Sequence, residues 1–195
     1  MNTLELRVSG FGGQGIILAG YTIGKAAAIY DHQQATMVQA YGPEARGSAC
    51  SSQVIISDAP IRYPYLNASD ILICMSQEAY DKFLPELREG GALLIDETLV
   101  MPHHARDDIR IYQIPATKIA EELGRKIVAN IVMLGFFTAM TKVVSLEAMQ
   151  EAVATSVPKA AIDLNLKAFQ RGYEYGLAQE TSEVEAKVGE LVGVT

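Results

Sequence analysis

Four glycines fall within six residues, at Gly10, Gly12, Gly13 and Gly15, and no other stretch limits the fold so tightly. The alternating run Leu4-Glu5-Leu6-Arg7-Val8 before them reads as a strand, and Ile16 to Tyr30 after them reads as a helix. A glycine turn between strand and helix permits φ > 0 and lets backbone N–H groups come close to a large guest. The positive end of the helix dipole makes that guest an anion, most often a phosphate. Gly10, Gly12 and Gly15 also satisfy G-x-G-x-x-G in the context that a dinucleotide site demands, with Gln14 inside the turn. The bland alternative is a tight turn and close helix packing with no ligand at all.

The second strand, Ala35 to Tyr41, tests the dinucleotide reading. A nicotinamide dinucleotide site places an acid at the end of this strand to hold the ribose. The strand ends instead in Gln39-Ala40-Tyr41; Asp31 precedes it, and no arginine follows directly to favour a 2′-phosphate. Next comes Tyr41-Gly42-Pro43-Glu44-Ala45-Arg46-Gly47-Ser48. A lone arginine in a loop punctuated by Gly and Pro suits a planar fork for phosphate or carboxylate. An ordinary solvated loop with an Arg–Glu pair is the alternative.

Composition narrows the function classes. A chain of 195 residues suffices for one α/β domain with a full core. A net charge of -7 lacks the basic footprint that nucleic acid requires. Cys50 and Cys74 are the only cysteines, which is too few for a self-contained four-cysteine cluster or zinc site, and they suit a reducing cytoplasm. The N-terminus enters a strand at once, so no secretory leader is expected. The run Ile127 to Met140 is too short for a bilayer span and contains Asn130 and Gly135.

Further along, Ala49 to Ser57 reads as a strand, and Ile61-Arg62-Tyr63 as a short piece pairing back in a hairpin that makes one sheet edge mixed. Asp70 to Met75 is a buried strand, with Cys74 as a core thiol. Ser76 caps a helix expected to end near Gly90-Gly91, before the strand Ala92 to Asp96. His103-His104 beside Asp107-Asp108 reads as a solvated loop, because neighbouring side chains seldom converge on one metal. Ile109 to Ile114 is a strand, and Lys118 to Gly124 a helix. Ile127 to Thr141 is apolar on every face, so it is either central or covered by a partner. Asn130 near its start is placed to cap it. Ser145 opens another helix, and Pro158 leads into a long one over Lys159 to Ala178. These elements make one three-layer, Rossmann-like α/β domain over residues 1–178, with a mostly parallel sheet and an acidic tail over 179–195.

Three motifs in order resemble the gamma subunit of 2-oxoacid:ferredoxin (acceptor) oxidoreductases, a module that is also one domain of single-chain pyruvate:ferredoxin oxidoreductases. They are the strand-GFGGQGI-helix, YGPEARGS, and Ala129 to Gly135 (ANIVMLG) with its Asn-x-x-x-Leu-Gly spacing. The family usually carries Arg-Gly-Gly where this chain has Arg46-Gly47-Ser48. The resemblance implies a complex that oxidatively decarboxylates a 2-oxoacid (2-oxoglutarate or pyruvate) with coenzyme A, giving acyl-CoA, carbon dioxide and reduced acceptor. Thiamine diphosphate with Mg2+ would sit on alpha and beta subunits, and iron–sulfur clusters on other chains, a ferredoxin-like delta subunit among them. Ferredoxin or a similar protein would accept the electrons.

This chain would then be catalytically silent alone, with no catalytic or metal-ligating residue. Gly10, Gly12, Gly13, Gln14, Gly15, Arg46 and Asn130 would lie near the coenzyme A or thiamine pocket, with Asn130 and its Asn-x-x-x-Leu-Gly segment beside the glycine turn. The resemblance further implies a hetero-oligomer; charge and span length already argue against nucleic acid and membrane, composition suits the cytoplasm, and the all-round apolar segment with the patterned tail predicts partner faces that a homodimer would cover when the chain is isolated. A free-standing nucleotide-binding module and a purely structural assembly subunit are the competing readings.

Overall fold

The computed structural model describes residues 3–40, 49–103 and 106–192. Six strands, β1 (Thr3–Phe11), β2 (Gln34–Ala40), β3 (Ala49–Ser57), β4 (Ser69–Cys74), β5 (Leu87–Asp96) and β6 (Arg110–Ile114), form one sheet in the order β2-β3-β1-β4-β5-β6. β1, β4, β5 and β6 run parallel, whereas β3 is antiparallel to both β1 and β2. This is the expected single α/β domain with a mostly parallel sheet, but the source of the mixed edge differs. Residues 61–63 form no strand; the reversed strand is β3 itself, inserted between β1 and β2.

One sheet face carries α1 (Ile16–Lys25, continued by a π turn at Ala26–Tyr30), α3 (Ala116–Glu122), α4 (Ala129–Thr141), α5 (Leu146–Ala154) and α6 (Ile162–Val192). The other carries α2 (Gln77–Phe83), whose Tyr80 and Phe83 bury Leu72, Leu93 and Ile95. Ser76 caps α2 by accepting from Ala79 N, and Ser145 caps α5 in the same way from Ala148 N.

The helix after Ser76 stops at Phe83, earlier than its pattern suggested, because Pro85 cannot donate to a continuing ladder. Gly90 and Gly91 therefore belong to β5, where the register against β4 breaks between Ser69 and Ile71 and Gly90 takes φ 73°. Glycine suits such a bulge because a side chain would be strained there.

The all-round apolar segment is central. From Ala129 to Ala139 every α4 side chain is buried by the sheet and α6, so it is covered by its own chain rather than offered to a partner. The two helices meet at backbone contact. A Cβ added at Gly172 would fall 2.8 Å from Val132 C, and one at Gly135 would fall 2.7 Å from Tyr173 N. The backbone of α6 runs past Ala178 to Val192 without a break.

Candidate functional site

The glycine turn sits at the C-terminal end of β1, where ligand crevices of open α/β sheets lie. Gln14 holds its shape. Its Oε1 accepts from Phe11 N at 2.6 Å, its Nε2 donates to Met75 O at 2.8 Å, and its own N–H returns to Phe11 O at 3.2 Å. The turn of β1 is thereby tied to the turn after β4.

The four glycines divide into two pairs. Gly10 is closely packed: a Cβ there would lie 2.5 Å from Gln14 Oε1 and 2.7 Å from Ile16 Cδ1, so both side-chain ends would have to shift. Gly15 is required twice, by φ 74° and by a side chain that presses on it, with Asn130 Cγ 2.9 Å from where its Cβ would be. Gly12 and Gly13 have open space where a Cβ would stand, and Gly13 holds φ 94°. Packing accounts for the first pair, and approach from outside is available only at the second.

Asn130 does not cap α4, whose N-terminal boundary is Val128 with no side-chain cap. It is buried, and its Nδ2 donates to Gly15 O at 3.1 Å, beside the first helical bond from Ala19 N at 2.9 Å. Of the two readings, the structure realises the one that faces the glycine turn.

These pieces enclose a cleft of about 310 Å³ lined by Gly13, Gln14, Met75, Thr117, Lys126, Ile127 and Ala129. Asp96 steadies the Thr117 side from beneath, accepting from Thr117 N at 2.9 Å and Thr117 Oγ1 at 2.6 Å. Lys126 keeps most of its side chain in solvent, 3.7 Å from Glu121, and Ile127 is 63% exposed. The sequence reading did not single out this pair; the signal available was a cation and an unmasked apolar residue directly before ANIVMLG. A larger groove, about 710 Å³ and lined by Asp58, Arg88, Gly90 and Arg110 among others, lies at the opposite sheet end, by the N-termini of the parallel strands.

Arg46 and Ser48 lie outside the described residues. Their anchors are described: Ala40 pairs with Ser51, Gly10 with Cys50, and Phe11 with Ala49. β2 therefore ends, and β3 begins, at the end of the sheet that carries the glycine turn. The placement of β3 also separates β2 from β1 by two strand spacings, about 10 Å. The end of β2 thus does not adjoin the turn as the ribose-binding strand of a dinucleotide fold does.

Neither cysteine offers a thiolate. Burial pushes the Cys74 thiol up to about 12, against a smaller opposing effect from Ser9, whose Oγ is 3.4 Å away; burial also raises Cys50. At about pH 8, where a free thiol is partly ionised, both should resist a maleimide or Ellman-type reagent in the native protein and react fully in denaturant. Rapid labelling of either in the native state would contradict this placement. The His103 ring meets that of Tyr80 at a tilt of 52° and lies 3.3 Å from Asp81 at the surface, while His104 lies outside the described residues. Among the described residues no three His, Cys, Asp or Glu side chains converge as metal ligands, and no helix is long and apolar enough to cross a membrane.

Residues 5–175 match the family model described as "Pyruvate ferredoxin/flavodoxin oxidoreductase". The chain belongs to this family. Within it the chain corresponds to the gamma subunit. It is 54% identical over 172 residues to the 2-oxoglutarate synthase subunit KorC of Methanocaldococcus jannaschii, covering 87% of this chain and 92% of that one. It is 46% identical over 176 residues to KorC of Methanothermobacter thermautotrophicus, covering 87% and 93%. The solved keto/oxoacid ferredoxin oxidoreductase gamma subunit from Geobacter sulfurreducens superposes with a TM-score of 0.82 at 45% identity, covering 91% of this chain and 98% of that one.

Proposed function

We propose that this gamma subunit works in a 2-oxoacid:ferredoxin oxidoreductase whose acid is 2-oxoglutarate, and that its glycine-turn cleft faces the coenzyme A of that complex. The observation that carries the choice of acid is the 54% identity to a 2-oxoglutarate synthase subunit along nearly the whole of both chains. The complex would convert the 2-oxoacid and coenzyme A to an acyl-CoA and carbon dioxide, passing electrons to ferredoxin in the cytoplasm.

The cleft fits an anionic, partly apolar ligand such as coenzyme A. Gly12 and Gly13 are open to close backbone approach, α1 presents its N-terminus, and Lys126 and Ile127 add a cation beside an apolar wall. Arg46, in the sequence between the end of β2 and the start of β3, is the proposed fork for a phosphate. Thiamine diphosphate supplies the carbanion chemistry when bound, on alpha and beta subunits in this reading. Iron–sulfur clusters need thiolates, and the two protonated core cysteines fit them poorly, which supports their placement on other chains.

Copurification of the native complex, followed by assay on a panel of 2-oxoacids, tests the reading. Acyl-CoA formation should be greatest with 2-oxoglutarate, and the isolated chain supplied with thiamine diphosphate, substrate and acceptor should show none. A complex selective for pyruvate, or turnover by the chain alone, would overturn the corresponding half of the proposal.

A further inference from the structure

Gln14 stands inside the glycine turn and is bonded at both ends of its amide. We infer that Gln14 is a positioning residue for the cleft: it orders the two glycines that a ligand can approach, so that binding does not have to order them. The inference rests on the reading that the cleft faces coenzyme A, and its test separates the two.

The turn needs such a residue. Gly12 and Gly13 have nothing within 4 Å of where a Cβ would stand, so packing on that side does not hold them. Glycine also loses more conformational freedom on ordering than any other residue. A ligand that had to order a loose turn would bind more weakly for it. Three hydrogen bonds from one residue remove that freedom beforehand. Gln14 N donates to Phe11 O at 3.2 Å, and Gln14 Oε1 accepts from Phe11 N at 2.6 Å, which closes the turn on itself. Gln14 Nε2 donates to Met75 O at 2.8 Å, and Met75 N donates to Ser9 O at 2.9 Å, which fastens the turn to the end of β4. Phe11 N can only donate and Met75 O can only accept, so these partners fix which way the amide points.

The same construction recurs along the crevice. Gln77 Oε1, just past β4, accepts from Met101 N at 2.8 Å, just past β5. Asp96, at the end of β5, accepts from the backbone and hydroxyl of Thr117 in α3, which follows β6. The ends of β1, β4 and β5 are each strapped to the next by a side chain bonded to backbone. Gln14 is the strap that belongs to the glycine turn, so its loss should be felt where the ligand approaches. A carboxamide has two donor and two acceptor positions, and one of each remains on Gln14 beyond these bonds. Direct contact with the ligand is therefore the competing role.

Gln14→Met keeps the length of the side chain and removes both amide bonds. In the full chain on its own, with no ligand present, amide hydrogen exchange over residues 11–15 should quicken in this variant. In the assembled complex its Michaelis constant for coenzyme A should rise about tenfold at unchanged kcat, the order expected when roughly one residue's backbone must be ordered on binding. Gln14→Glu is the conservative rescue. A protonated glutamic acid can donate to Met75 O as the amide does, and an ionised one cannot. Relative to the wild type at the same pH, its constant should therefore approach normal as pH falls and rise as pH rises. The uncharged Met variant separates the lost strap from the added charge, and if it does not fold, the Glu variant carries both readouts on either side of its titration. A raised constant with unchanged exchange would mean that Gln14 touches the ligand, and would overturn the positioning role. Lys126→Glu, at the rim of the cleft, checks the reading beneath it. If Lys126→Glu raises the constant and Gln14→Met does not, the positioning role falls and the reading stands. If neither moves it, the cleft does not face coenzyme A and both fall.

Discussion

Gly172→Ala should lower the stability of the fold by about 3 kcal/mol or more, at the top of the range for overpacking a core. The added methyl would penetrate the Val132 carbonyl and approach Phe136 N at 3.1 Å. Those are backbone atoms of α4, so no rotamer change can make room, and α4 cannot retreat because its other faces are buried against the sheet. Gly135→Ala meets Phe169 and Tyr173 backbone at the same crossing and should cost a comparable amount. Gly24→Ala is the control: its Cβ would find only Val54 Cγ1, at an ordinary 3.7 Å, within a helix. That change should be neutral or stabilise by up to about 1 kcal/mol. Urea unfolding would show the midpoint falling for Gly172→Ala at constant slope. Equal midpoints for the two variants would mean that the helices do not cross as closely as described.

The second large effect is expected at Gly15. Alanine at φ 74° costs about 1–2 kcal/mol in the left-handed region. Displacing Asn130 breaks its bond to Gly15 O, adding about 1 kcal/mol. The sum, roughly 2–3 kcal/mol, should come with loss of the cleft's shape, since Gly15 and Asn130 adjoin its lining at Gln14 and Ala129. Coupling identifies the mechanism. In a Gly15→Ala, Asn130→Ala double variant the clash is gone, so the combined cost should be less than the sum of the single costs. Strict additivity would show that the two residues do not press on each other.

The features legible in the sequence were those written locally. Gly10 to Gly15 between a strand and a helix located the crevice; alternation over Leu4 to Val8 located the middle of β1, which runs on to Phe11, and Ala49–Ser57 was read as a strand to the residue. The direction of β3 was not legible, because pairing Phe11 with Ala49 depends on partners far apart in sequence and leaves period-two alternation unchanged. For the same reason the apolar segment could not say what covers it. Gly135 and Gly172 together mark a helix crossing, but each alone is an ordinary glycine. Gly90-Gly91 was read as a helix end when the glycines serve a bulge; Pro85 was the earlier and stronger stop. Lys126 escaped notice, and Ile127 was read as the first residue of the apolar helix when that helix starts at Ala129 and Ile127 is exposed, because exposure is not a property of residue type.

The proposed contact between Arg46 and coenzyme A can be tested in the assembled enzyme. Arg46→Ala should raise the Michaelis constant for coenzyme A by the equivalent of about 1.5–3 kcal/mol, the range for a hydrogen bond to a charged group. Arg46→Lys should recover only part of this, because the fork is lost. Titrating coenzyme A against the purified wild-type and variant complexes, with subunit content checked by gel, reads both quantities in one series. The account predicts a raised constant in a complex of unchanged composition. A complex that loses subunits while the surviving assemblies bind coenzyme A as the wild type does would contradict it, and would make Arg46 an intersubunit ion-pair residue instead.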